Sequence, residues 1–171
     1  MLATTTVDHR SMTVSLQDHT TSPSHTYSDV TVSDVFHPGV VACPPDATMR
    51  DVAAALAANN IHCLVVDGIV DGPGGERLVW LVLDDLDVAG ILADPAADLD
   101  AARAGDVGKA PAVTVAPEDP LPVAAKLMSD NGVTHLIVAG DGAGRPIGVI
   151  SALDLARAVA TGVSGSTAPA V

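Results

Sequence analysis

The chain has 171 residues, 48% of them hydrophobic but only 2% aromatic, so its core must be built from Ala, Val, Leu and Ile, and it offers few rings on which nucleic-acid bases could stack. Eight Lys and Arg against 21 Asp and Glu give a formal net charge of -13, a field that disfavours nucleic acid and anionic membrane surfaces as partners. Two cysteines, Cys43 and Cys63, are too few for a disulfide framework and match no CxxC or zinc spacing, so free thiols in a reducing cytoplasm are expected.

Residues 1–28 are rich in Thr, Ser and His and lack the continuous apolar segment of a secretory signal. They are expected to form a disordered tail, as is the C-terminal run 162–171. No apolar stretch reaches the roughly 18 residues of a membrane span. Val40 to Cys43 reads as a short extended piece. Met49, Val52, Ala53 and Leu56 then follow at i, i+3, i+4, i+7, one face of a helix, with Thr48 as N-cap and Asn59-Asn60 at the end. Cys63 to Val66 has the length and β-branched content of a buried strand. A Gly/Asp loop is expected from Gly68 to Gly75, then a strand from Leu78 to Leu83 that runs into a helix from about Asp85. Ala93 to Gly105, rich in Ala and Asp, reads as a linker.

The same series then recurs. Shifted by 72 positions, Asp34-Val35 falls on Asp106-Val107, Val41 on Val113, Pro45 on Pro117, Asn59 on Asn131 and Leu64 on Leu136. Beyond the Gly-rich loop the shift becomes 67, and Asp87-Val88 falls on Asp154-Leu155. The lost residues are assigned to the loop, longer at 67–77 than around Gly140 to Arg145. In the second copy Ala112 to Val115 is extended. Leu121, Ala124, Ala125 and Met128 make the helix face, with Pro122 in the first turn and Asn131-Gly132 at the end. His135 to Val138 and Ile147 to Ile150 are strands, and a helix starts at about Ala152. The predicted class is therefore α/β (α+β): two β-α-β-β-α repeats, residues 29–92 and 106–161, joined by 93–105. A unit of about 60 residues is marginal alone, so the two are expected to pack with pseudo-twofold symmetry around one shared core.

The ordered set VACPPDAT (41–48) and VTVAPEDP (113–120), then IHCLVV (61–66) and VTHLIV (133–138), then GVISALDL (148–155), resembles the cystathionine-β-synthase (CBS) domain family. Two copies in tandem resemble its paired form, the Bateman module, over roughly residues 29–161. The resemblance implies a non-catalytic regulatory module that binds an adenosine-type ligand (AMP, ATP or S-adenosylmethionine) in clefts between the repeats. It also implies a homodimer, regulation of an unknown partner protein, and no cofactor otherwise. The family's Gly-h-h-Ser/Thr-x-x-Asp motif is carried by Gly148, Ser151 and Asp154, with the carboxylate on the ribose hydroxyls. Arg157 is the nearest base for a phosphate, beside a helix N-terminus. The resemblance places the adenine against Thr114-Val115 and Thr134, His135 and Leu136. The first repeat departs from the motif: Leu81 stands at the glycine, with Trp80 before it, and Asp84 at the Ser/Thr. Asp87 keeps the carboxylate, and Phe36 replaces a common Met. A degenerate first site, at Val41, His62, Asp84 and Asp87, is expected.

Other readings of these residues exist. Ser151 and Asp154 are also good helix caps, and Arg157 equally suits a solvated helix face. His37, His62 and His135 with Cys43 and Cys63 include zinc-ligand types. However, His62 and Cys63 are neighbours on a strand and point to opposite faces, so no metal site is expected. Asp84, Asp85 and Asp87 could form a carboxylate pair for hydrolysis. There is no Gly-x-Ser-x-Gly elbow, P-loop or HExxH beside them, and no enzyme is expected.

Overall fold

The structure, a computed structural model, describes residues 27–72, 75–108, 111–140 and 145–163. The tails expected at 1–28 and 162–171 lie almost wholly outside the described residues. Two 3-10 turns, Tyr27–Asp29 and Val32–Asp34, lead into β1 (His37–Pro38) and β2 (Ala42–Cys43). The first half continues with α1 (Met49–Asn59), β3 (Cys63–Gly72), β4 (Gly75–Asp84) and α2 (Asp85–Leu92). The second half has α3 (Ala104–Val107), β5 (Thr114–Val115), α4 (Leu121–Asn131), β6 (His135–Ala139), β7 (Pro146–Ser151) and α5 (Ala152–Thr161).

The local signals act as the sequence predicts. Thr48 and Asp51 form a capping box at the start of α1, and Asn60 ends the helix in the left-handed region at φ 51°. Pro122 occupies the first turn of α4, and Gly132 closes it at φ 63°. The buried stripes are Met49, Val52, Leu56 and Leu121, Ala124, Met128. They are narrower than the predicted faces: Ala53 is half-buried and Ala125 exposed.

Two expectations are corrected. Of the stretch 67–77, residues 67–72 and 75–77 are strand and not loop. Its backbone continues β3 and β4 as an antiparallel hairpin in register from Cys63↔Asp84 to Gly72↔Gly75. Antiparallel pairing is made by backbone N–H and C=O groups whatever the side chain, so Gly and Asp content did not disclose the strands. Nor do the described residues form a single shared core. Leu64, Val66, Leu83, Met49 and Val52 form one buried cluster, and Leu136, Val138, Ile150, Leu121 and Ala124 form another.

Each cluster is completed by a segment from outside its own half. Val30 and Val32 pack into the second cluster, and Ala104, from the edge of the expected linker, packs into the first. Backbone hydrogen bonds fix these exchanges in symmetric pairs. Val32 N–H donates to Asp119 O at 2.9 Å, and Ala104 N–H donates to Ala47 O at 2.9 Å. Ser33 N–H to Pro117 O and Gly105 N–H to Pro45 O, both 2.8 Å, repeat the relation. All eight residues obey the 72-residue shift found in the sequence. The pseudo-twofold relation is thus written in hydrogen bonds.

The exchange also builds the sheets. One has the order β1-β7-β6-β5 and the other β2-β3-β4. The N-terminal β1 lies antiparallel to β7, with His37 opposite Val149 and Pro38 opposite Gly148. This delivers His37 from the start of the first repeat to the second half, where the candidate site lies.

Candidate functional site

Asp154 is the only buried charged residue among those described, at 4% exposure. Ser151 is the N-cap of α5 and Asp154 its third residue, so the pair forms a capping box. Asp154 Oδ2 accepts from the Ser151 backbone N–H at 2.9 Å and from its hydroxyl at 2.6 Å. Asp154 Oδ1 accepts from Arg157 Nη1 at 3.3 Å and lies 2.9 Å from His37 Nε2. Burial alone would raise this carboxyl. The Ser151 hydroxyl and backbone N–H, then His37, outweigh that and hold it below its ordinary value of 3.8. A buried carboxylate is thereby kept ionised at the start of a helix. Capping and a site role are compatible, because the cap uses Oδ2 and leaves Oδ1 to His37 and Arg157, which line the same cavity.

Asp154, Ser151 and Arg157 line a cavity of about 570 Å³, within the range of small-molecule sites. Its opposite wall comes from the first half: Val40, Val41, Ile61, His62, Cys63 and Leu64. A second, smaller cavity of about 260 Å³ lies beside Asp84 and Asp87, and its wall is Ala112, Val113, Val133, Thr134 and His135. Apart from Leu64, these walls are the same positions under the 72-residue shift, so each half supplies the wall of the other half's cleft.

This crossing redistributes the residues named from the sequence. Ser151, Asp154 and Arg157 line one cavity at the junction of β7 and α5, whereas Gly148 lies in the middle of β7 and does not line it. Val41 and His62, assigned to the first site, stand opposite Asp154 instead. Thr134, assigned to the second site, stands opposite Asp84 and Asp87, while His135 reaches both cavities. Thr114, Val115 and Leu136 line neither: Thr114 is exposed, and Val115 and Leu136 are 3% and 0% exposed in the core. His37 was not among the residues named for this site. Only the antiparallel register of β1 on β7 brings it there.

Gly148 acts through packing. A Cβ there would collide with the His37 carbonyl and the Phe36 ring. In the first half the sizes are exchanged. Gly108, the 72-shift counterpart of Phe36, faces Leu81, the 67-shift counterpart of Gly148, and a Cβ on Gly108 would come within 3.0 Å of it. Leu81 is therefore half of a large-small pair, in the opposite order.

The two clefts differ in charge. Among the described residues, Arg157 and three histidines line the larger one, with Asp154 as its only acid. Among the described residues two acids, Asp84 and Asp87, line the smaller one and form a capping box, each side chain accepting from the other's backbone N–H at 3.1 Å. His62 Nδ1 lies 2.9 Å from Asp85 Oδ2 at the surface. Burial lowers the His135 imidazole below its ordinary 6.5, although Asp84, Asp85 and Asp154 pull it back. His135 is thus a neutral hydrogen-bonding group at pH 7, and Arg157 is the fixed cation. Among the described residues no group of three or more His, Cys, Asp and Glu is placed to hold a metal ion.

Cys63, on the wall opposite Asp154, has its thiol pushed up to about 12, by burial first and then by Asp84 and Asp85. Burial also raises Cys43, with Asp67 and Asp51. Thiolate is the reactive form, so both cysteines should react slowly with an aromatic disulfide reagent at pH 8 and rapidly once the chain is unfolded. The Cys63 proton is held more tightly in the folded state. Its contribution to stability is therefore present below about pH 9 and lost as pH rises toward 12. Cys63→Ala should flatten that alkaline limb in urea titrations.

Two repeated α/β units that exchange terminal segments and share two clefts define the class of this molecule: a tandem domain pair. The CBS domain profile matches residues 32–73 and 104–161, and the chain belongs to the CBS domain family. A CBS domain protein from Pyrobaculum aerophilum, solved in complex with AMP, is 30% identical, with a TM-score of 0.63 over 78% of this chain and 97% of that one. The CBS domain pair of protein MJ0100, solved with 5′-methylthioadenosine and S-adenosyl-L-methionine, is 19% identical, with a TM-score of 0.63 over 78% and 98%. The CBS domain of a bacterial CNNM/CorC family Mg2+ transporter, solved with ATP, is 17% identical, with a TM-score of 0.62 over 78% and 89%. No curated protein matches the sequence. No helix among the described residues is long and apolar enough to cross a membrane.

Proposed function

We propose that this CBS pair is a non-catalytic regulatory module that binds an adenosine nucleotide in the cleft beside Asp154. The carrying observation is the buried, ionised Asp154 carboxylate at the N-terminus of α5, opening on a cavity of about 570 Å³ with Arg157 beside it. A carboxylate accepts from a ribose diol, and the helix N-terminus and Arg157 suit a phosphate. The apolar wall of Val40, Val41 and Ile61 suits the flat face of a base. The structurally similar proteins solved with AMP, ATP or S-adenosylmethionine support this ligand class. The cleft beside Asp84 and Asp87 carries two acidic groups and is expected to bind phosphate-bearing ligands poorly.

Binding to the folded state alone should raise the melting temperature. AMP at one hundred times its dissociation constant stabilises by about 2.7 kcal/mol, roughly 10 °C for a domain of this size. Thermal melts with AMP, ATP and S-adenosylmethionine, paired with native mass spectrometry of the full chain, measure this directly. No shift with any of them at millimolar concentration would sink the reading.

A second reading, a ligand-free dimerisation module, is favoured by one observation. Leu86 and Leu92 on α2 are 70% and 66% exposed, and their 67-shift counterparts on α5, Leu153 and Val159, are 51% and 61% exposed. Two matching apolar patches suit a homodimer. The same mass spectra decide it: dimers without bound nucleotide support this reading, and one nucleotide per chain supports the first.

A further inference from the structure

All the acceptor capacity of Asp154 is in use. A carboxylate has about four lone-pair sites. Two on Oδ2 are taken by the Ser151 N–H at 2.9 Å and its hydroxyl at 2.6 Å. On Oδ1 stand His37 Nε2 at 2.9 Å and Arg157 Nη1 at 3.3 Å. A ribose diol needs acceptor positions on this carboxylate, so a partner must leave. The Ser151 backbone N–H cannot leave without unwinding the helix cap. The side chains of His37 and Arg157 are 68% and 61% exposed and can swing away.

His37 is the one that conflicts with a ligand. Arg157 is on the same helix as Asp154, its contact is longer, and its five donors can serve carboxylate and phosphate together. The imidazole approaches Oδ1 from β1, across the cavity rim, and it also lines that cavity. It stands where a sugar must stand to reach Oδ1. Its departure requires only a side-chain rotation. The β1 backbone stays paired to β7, and Phe36 stays packed on Gly148.

We propose that His37 is a built-in competitor for the ribose: it occupies Asp154 Oδ1 until a sugar hydroxyl displaces it, and so sets the affinity and sugar selectivity of the cleft. This rests on the nucleotide reading above. The latch keeps the buried carboxylate hydrogen-bonded and makes a ligand that lacks hydroxyls a poor substitute, because only a hydroxyl restores the bond that His37 gives up.

Isothermal titration calorimetry on the full chain, with AMP and 2′,3′-dideoxy-AMP as probes, tests it. Removing one competing hydrogen bond is expected to tighten AMP binding roughly three- to tenfold in His37→Ala. Dideoxy-AMP, which has no hydroxyl to offer, should be unchanged within about twofold on the same grounds. His37→Gln retains a donor and should restore part of the competition. Weaker AMP binding in His37→Ala, unchanged AMP binding, or equal tightening of both probes would overturn the latch. Asp154→Asn separates the two claims. If wild type binds AMP and Asp154→Asn binds it equally well, the nucleotide reading at this carboxylate fails, and the latch with it. If Asp154→Asn loses AMP but His37→Ala matches wild type, the latch alone fails. AMP binding by neither wild type nor His37→Ala overturns both.

Discussion

Asp154→Asn is expected to weaken AMP binding roughly tenfold to hundredfold, since hydrogen bonds to a charged group contribute about 1.5–3 kcal/mol. The amide replaces one acceptor oxygen with a donor, so the ribose loses the group that would accept from it. Asp87→Asn, the same change in the other half, should leave the AMP titration untouched, because Asp87 lines the smaller cavity and not the one beside Asp154. Calorimetric titration of both variants checks this. The same substitution alters the pH dependence of stability. The Asp154 carboxyl is held below 3.8 in the folded state, so it releases its proton more readily there than in the unfolded chain. Its contribution is fully present above about pH 4 and is lost as pH falls through the lower, folded value. Asp154→Asn should therefore show a shallower loss of stability on acidification in urea titrations. An acid limb of unchanged slope would mean that Asp154 is not the ionised group the geometry describes.

Gly148→Leu is expected to have the largest effect on folding. Its Cβ would strike the His37 carbonyl and the Phe36 ring, and neither is a flexible side-chain end. β1 would have to leave β7, exposing Phe36 and loosening the second cluster. Overpacking in a core costs about 1–3 kcal/mol, and the lost strand pairing adds to it. A destabilisation of about 3 kcal/mol, or roughly 10 °C in melting temperature, is expected. The first half indicates the remedy, since Gly108 against Leu81 is the same contact with the sizes exchanged. Adding Phe36→Gly to Gly148→Leu should therefore recover about 1 kcal/mol or more, beyond what the single changes predict. Thermal melts of the four proteins in this cycle measure the coupling. Strictly additive effects would show that the two positions do not form a complementary pair.

His37 should follow β1 in this series. If Gly148→Leu frees β1, it also removes the imidazole from Asp154, and the carboxylate loses a partner at 2.9 Å. The packing at Gly148 and the hydrogen bond at Asp154 are thus one mechanical unit: the glycine admits the strand that carries the histidine.

The sequence by itself determined the repeat, the helices and the capping chemistry. Met49, Val52 and Leu56 against Leu121, Ala124 and Met128 gave the helices by periodicity alone. Ser151 and Asp154 announced a helix start, and the family resemblance added a ligand role to the same two residues. These features are local, fixed by spacings of three or four residues. Only the tertiary structure decided which half walls which cleft. A 72-residue shift makes Val41 and His62 equivalent to Val113 and Thr134, but equivalence does not say which set faces Asp154. That depends on the long-range crossing of the two halves. The crossing also sets the β1-β7 register that carries His37 to Asp154 and places Phe36 on Gly148, contacts more than 100 positions apart along the chain. The extension of β3 beyond Val66 and of β4 before Leu78 escaped the sequence for a related reason: these strand ends are paired by backbone hydrogen bonds, which any residue except proline can make, so Gly and Asp content does not report them.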